Sequence, residues 1–207
     1  MSAHFVSGID TSCGKTFVTG ALARRAAESG LRVATQKFVQ TGCAGVSEDI
    51  EAHRAAMGVP LLPEDEDGTT CPYVFAFPAS PHLAARMEGV EIDPERIARC
   101  TEILESRYDE VFIEGAGGLM VPVTEDMLTI DYVAMRSLPL ILVASAKLGS
   151  INHALLSIDA CLSRGVRIER IVYNDYPAED PRLSAETAAY IERYAAARCP
   201  GCAFERL

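Results

Sequence analysis

Short runs of apolar residues, rich in β-branched and aromatic types, recur at HFVSG (4–8), RVATQKFV (32–39), EVFIEG (110–115), LPLILVAS (138–145) and RIVYN (170–174). Runs this short and continuous predict strands buried on both faces, as in a parallel sheet. Between them the apolar positions take helical spacing, and each helical stretch opens on a cap: Ser80 with Pro81, Asp93 with Pro94, Ser150 ahead of INHALLSIDACLSRG, and Asp180 with Pro181. Small polar caps accept the free N–H groups of a first turn, and proline fits the first helical position because no needed donor is lost there. A further helix, Lys15 to Ser29, follows the first strand directly. The alternation predicts right-handed βαβ units and so a doubly wound, mostly parallel α/β sheet with helices on both faces, its ligands along the carboxyl edge of the strands.

The first strand-to-helix connection, GIDTSCGKT, predicts a phosphate-binding loop and hence an α/β fold of the P-loop NTPase type. Gly8 and Gly14 let backbone N–H groups approach a phosphate, Lys15 supplies an ammonium, Thr16 a hydroxyl for magnesium, and the helix N-terminus points its free donors at the same anion. Five residues separate the two glycines where the common pattern has four, so the loop is a variant. Along the strand ends stand Lys37, Glu114 and Asn174. Lys37, in QKFVQTG, can reach the phosphates opposite Lys15, with Thr41 beyond it. Glu114 opens EGAGG, whose glycines let the chain pass near a triphosphate while the carboxylate holds a metal. Asp49, in SEDIEAHRAA, is either a second metal carboxylate or a helix-start acid. His53, His82 and His153 lack an H-x-x-x-H partner, which favours surface or packing roles.

Composition narrows the picture. A chain of 207 residues with 49% hydrophobic content and no linker or repeat predicts one domain spanning 1–207. A net charge of -10 argues against nucleic-acid or anionic-membrane partners. The most apolar stretch is too short to span a bilayer and residues 1–15 lack a secretory pattern, so a cytoplasmic protein is expected. Seven cysteines do not suit a disulfide framework; CPGC at 199–202 reads as incidental, and Cys13, inside the phosphate loop, as a thiol whose oxidation would block nucleotide binding.

Taken together, GIDTSCGKT, KFVQTG, PYVFAFPASPH, EGAGGLMVPV and KLGSINHALL, in this order and at these distances, closely resemble the dethiobiotin synthetase family. That resemblance implies a biotin-biosynthesis ligase that carboxylates 7,8-diaminopelargonate with CO2 and closes the ureido ring, driven by ATP or another nucleoside triphosphate through a carbamic-phosphoric mixed anhydride. It carries Lys37, Lys15 and Thr11 to catalysis and Thr16, Asp49 and Glu114 to magnesium. It carries Gly8, Asp10, Thr11, Ser12, Cys13, Gly14, Lys15, Thr16, Glu114, Gly117 and Asn174 to the nucleotide, and Thr41, Gly149, Ser150, Ile151 and Asn152 to the substrate. It also implies a homodimer with substrate at the subunit interface. Phe38 stands where many members have proline. The Pro-Glu segment that closes over adenine in family members is not apparent in AARCPGCAFERL, which leaves Asn174 as the base contact and predicts a relaxed base preference. A cobalamin-pathway amidotransferase ligase would need a glutaminase domain, and a partitioning-type ATPase switch an early lysine where Asp10 stands. A small-molecule kinase would be expected to lack EGAGG and KLGSINH.

Overall fold

The computed structural model describes residues 3–176 and 180–207. Among these residues, six strands form one sheet in the order β2 (Val33–Lys37), β5 (Glu110–Gly118), β1 (Ala3–Gly8), β6 (Leu140–Ser145), β7 (Ile168–Asn174) and β8 (Ala203–Arg206), with every neighbouring pair parallel. β3 (Gln40–Thr41) and β4 (Val74–Phe75) pair separately as a short parallel ladder. The helices α1 (Lys15–Glu28), α2 (Glu48–Met57), α3 (Pro63–Glu66), α4 (Pro81–Met87), α5 (Pro94–Arg107), α6 (Thr129–Met135), α7 (Ser150–Ser163) and α8 (Pro181–Arg198) cover both faces.

The expected buried strands are buried: Phe5, Val6, Leu140, Leu142, Val143, Ala144, Ile171, Val172 and Tyr173 are all fully enclosed. Each large side chain among them contributes about 1.5–3 kcal/mol by leaving water. β2 is shorter than the apolar run 32–39: the Phe38 N–H still donates to the Glu114 carbonyl (2.8 Å), after which the chain leaves the main sheet and Gln40 and Thr41 pair with β4. A proline at position 38 would forfeit that bond. The Phe38 ring instead anchors the core, edge-on to Phe5 (centroids 5.5 Å) and tilted against Tyr132 (4.8 Å).

Of the expected caps, Asp93 and Asp180 accept first-turn N–H groups as predicted. Ser80 does not cap through its hydroxyl, which pairs with His82 Nδ1 (3.1 Å). α7 starts one residue earlier than expected: Gly149, at φ 94°, is its N-cap, and Ser150 is the first helical residue, with its Oγ 3.1 Å from Ser145 Oγ. A left-handed cap is cheap only for glycine, which frees the serine hydroxyl for the strand end. CPGC forms the turn from α8 into β8, closed by the Cys202 N–H to the Cys199 carbonyl (3.0 Å), with both thiols free.

Candidate functional site

β1 delivers the phosphate loop at the carboxyl edge. Gly14, the α1 N-cap at φ 96°, passes so close to Asn174 that a Cβ there would lie 2.1 Å from its Nδ2. That amide is committed at both ends: Nδ2 donates to the Cys13 carbonyl (3.1 Å) and Oδ1 accepts from the Tyr176 N–H (3.1 Å). Gly8 is equally constrained, since a Cβ would meet Cys13 Sγ at 2.3 Å, and Cys13 is buried beneath it rather than presented to solvent. Lys15 folds over the loop, donating to the carbonyls of Asp10 (3.1 Å) and Thr11 (3.0 Å). Asp10 Oδ1 accepts the Thr11 N–H (2.7 Å), and Lys147 Nζ donates to the Ser12 carbonyl (2.9 Å).

Beside the loop, Thr16, Lys37, Asp49 and Glu114 converge. Thr16 Oγ1 lies 3.0 Å from both Asp49 Oδ1 and Glu114 Oε1. Lys37 Nζ donates to Glu114 Oε1 (2.9 Å) and the Gly115 carbonyl (3.2 Å) and forms an ion pair with Asp49. Register explains the meeting of Lys37 and Glu114, which are direct cross-strand partners on β2 and β5. Asp49 arrives on the first turn of α2, whose cap Ser47 accepts the Ile50 N–H and donates to Gln40 of β3 (2.6 Å). Asp49 is thus both a helix-start acid and a member of the cluster.

Burial opposes the charge on Lys37, but Glu114 and Asp49 outweigh it and raise its pKa above the ordinary lysine value. Burial also pushes the Glu114 carboxyl up, yet Lys37 and His53 hold it down at about 2. Lys15 goes the other way: burial dominates and lowers it. Thr16, Asp49 and Glu114 offer hard oxygen donors of the type magnesium takes, and the Lys37 ammonium supplies positive charge among them. Among the described residues no group of three or more His, Cys, Asp or Glu is arranged to hold a metal, which leaves this hydroxyl and two carboxylates as the candidate set.

Three hollows open around the loop. Thr41 and Thr11 line one of about 390 Å³ with Pro78, Pro81 and Gly117; a Cβ on Gly117 (φ 67°) would lie 2.9 Å from Val121. A second, about 400 Å³, is lined by Asp10, Thr11, Met120, His153 and Leu156. A third, about 540 Å³, is lined by Ser12, Gly14, Phe17, Asn174 and Tyr176. Gly149, Ser150, Ile151 and Asn152 line none of these three: Ser150 turns inward, and only the next residues of α7 reach the second hollow.

Sequence reasoning missed three contributors. Phe17 and Tyr176 are exposed aromatics at the third hollow, and His53, fully buried, lies 2.7 Å from Glu114 through its Nε2. His53 stands four residues after Asp49, one helical turn on, and that spacing was the available signal.

A family model described as an AAA domain matches residues 2–202. The ATP-dependent dethiobiotin synthetase of Chlorobaculum tepidum is 54% identical over 199 residues, covering 94% of this chain and 83% of that protein. A second such protein from Haemophilus ducreyi is 48% identical, covering 97% and 95%, and one from Pasteurella multocida is 47% identical, covering 97% and 94%. Among solved structures, pNOB8 ParA bound to nonspecific DNA aligns with a TM-score of 0.58 at 14% identity (94% of this chain, 75% of that one). A ParA family ATPase from Chlorobium tepidum aligns at 0.56 and 16% identity (100% and 84%). At such identities the structural likeness concerns the fold alone.

Proposed function

The chain belongs to the ATP-dependent dethiobiotin synthetase family, and from that premise we propose how its residues carry out the ligation. The enzyme carboxylates 7,8-diaminopelargonate with CO2 and closes the ureido ring at the expense of ATP. One substrate amine adds to CO2 and loses a proton to give a carbamate. A carbamate oxygen attacks the γ-phosphorus and the nucleoside diphosphate leaves. The second amine then attacks the carbamoyl carbon and expels phosphate, giving the cyclic urea. Such a sequence needs positioning and positive charge more than covalent help from the protein.

The observation that carries the assignment is the convergence of Thr16, Lys37, Asp49 and Glu114 beside the phosphate loop. Lys15 and the loop N–H groups hold the β- and γ-phosphates, with Asp10, Thr11, Ser12 and Cys13 shaping the loop. Thr16, Asp49 and Glu114 would hold magnesium, which would neutralise phosphate charge. Lys37, beside this set, faces the carbamate oxygen and the γ-phosphate and stabilises the charge passing between them. Thr41 and Thr11, which share a hollow, flank the carbamate.

The base occupies the hollow of Phe17 and Tyr176 and is held mainly by stacking, because Asn174 is engaged with the loop. A shallow base preference follows. The enzyme works in the cytoplasm as a homodimer, in which Gly149 to Asn152 serve the partner's site; the exposed Leu148 and Leu156 beside this segment support that arrangement. No described helix is long and apolar enough to cross a membrane.

The test is phosphate release with magnesium and ATP, CTP or GTP, with and without diaminopelargonate and bicarbonate, with the cyclic urea detected by mass. Release should need both co-substrates and yield the urea, with the three nucleotides within about tenfold in kcat/KM. Release indifferent to both co-substrates would overturn the mechanism, and a much steeper ATP preference would overturn the stacking assignment.

A further inference from the structure

Behind the metal-binding carboxylate lies a buried polar chain. His53 Nε2 is 2.7 Å from Glu114 Oε2, the oxygen turned away from Thr16 and Lys37. His53 Nδ1 is 3.1 Å from Thr35 Oγ1, which also accepts from Arg54 Nη1 at 2.9 Å. Arg54 Nε and Nη2 donate to the two oxygens of Asp65, each at 2.8 Å, and those oxygens also accept from Thr70 Oγ1 (2.7 Å) and the Leu62 N–H (2.7 Å). His53, Arg54, Thr35, Asp65 and Glu114 are all buried.

The polarity of this chain is dictated at both ends. Arginine only donates and an ionised glutamate only accepts. Thr35 accepts from Arg54 and has no other acceptor for its O–H than His53 Nδ1 among the contacts of the described residues, so it donates there, and Glu114 accepts from His53 Nε2. Every buried polar atom along the line is then satisfied, and the ring has one orientation left to it. From this geometry we propose that His53 is a positioning residue: it holds Glu114 in the rotamer that aims Oε1 at Thr16 and Lys37, and Thr35 and the Arg54–Asp65 pair fix His53 in turn. This inference rests on the reading of Glu114 as a magnesium ligand.

The chemistry of the amides supplies the test. A glutamine at position 53 places its N–H₂ near the position of Nε2 and reaches Glu114; an asparagine places it near Nδ1 and reaches only Thr35. Affinity is read by electron paramagnetic resonance of Mn²⁺ added to protein saturated with a non-hydrolysable ATP analogue, and analogue affinity is measured separately without metal. His53→Leu and His53→Asn should weaken Mn²⁺ binding by about 10–100-fold, His53→Gln should stay within about threefold of the parent, and metal-free analogue affinity should hold in all three. Equal Mn²⁺ affinity in the parent and all three variants, or equal loss in all three, would overturn the inference; should His53→Leu not fold, the Gln and Asn pair decides alone. Glu114→Gln separates the two levels. Its failure to weaken Mn²⁺ binding would remove the metal reading and the inference together, whereas loss there with none in His53→Leu removes only the role of His53.

Discussion

Both ends of the central sheet are rich in charge, and they differ in what surrounds it. At the amino end, His4 Nδ1 lies 2.9 Å from Glu169 and its Nε2 3.5 Å from Glu110, and these three line an open hollow of about 240 Å³ with Arg25 and Arg170, which share Glu205. Water reaches these groups, partners are duplicated, and such pairs contribute little. At the carboxyl end, Lys15, Lys37 and Glu114 are each 5% exposed or less, and two of them are ammonium groups drawn close together. Burying charge beside like charge is costly unless something is gained later. Desolvation, rather than the number of charged residues, is therefore what separates the working end from the covering end.

The hardest blow to that contrast is Lys37→Met, which keeps the bulk and removes the buried ammonium. We expect kcat for phosphate release to fall by about 10²–10³-fold, and a loss under tenfold would mean that the charge is not used in the reaction. A subtler consequence concerns Lys15, whose pKa is lowered by burial from 10.5. Protonation is then weaker in the folded chain than in the unfolded one, so the ammonium destabilises the nucleotide-free protein at neutral pH, and the penalty shrinks as pH rises towards 10.5. Lys15→Met should raise the nucleotide-free Tm, by an amount that shrinks as pH rises, while weakening nucleotide binding. A drop in Tm, or a gap that widens with pH, would refute this. Smallest of all is Arg25→Ala at the other end. Glu205 keeps Arg170 at 2.9 Å, so stability in urea should change by no more than about 0.5 kcal/mol; a change of several times that would blur the distinction between the two ends.

How much of this was legible beforehand follows from the range of the interactions. The strands β1, β2, β5, β6 and β7 and the helices α1, α5, α7 and α8 could be read because each carries its own apolar period and, in most cases, its own cap; the two-residue strands β3 and β4 are too short to carry one. β8 could not: AFER is four residues, two exposed and two half-buried, whose strand character comes only from β7 beside it. The metal-type cluster was readable from residue type and strand-end position, and Asp49 was left open because a first-turn acid looks the same in either role. His53 escaped because its partner Glu114 is 61 residues away: the one-turn spacing from Asp49 puts it on the cluster's side of α2, but does not name the carboxylate it meets. Asn174 was placed correctly at its strand end, yet its attachment to Cys13, across 161 residues, is visible only in three dimensions.

The strand order has a consequence for how the molecule comes into being. β1 and β2 are consecutive in the chain, but β5 lies between them and pairs with both, so neither can enter a ladder with the other. Until residues 110–118 arrive, the long stretch before them has no main-sheet neighbour for its two principal strands. Closing so large a loop before any ladder contact forms is entropically slow, and it leaves apolar strand surface uncovered meanwhile. The β1–β5 and β2–β5 ladders should therefore form together and late in refolding, and activity should return only with them.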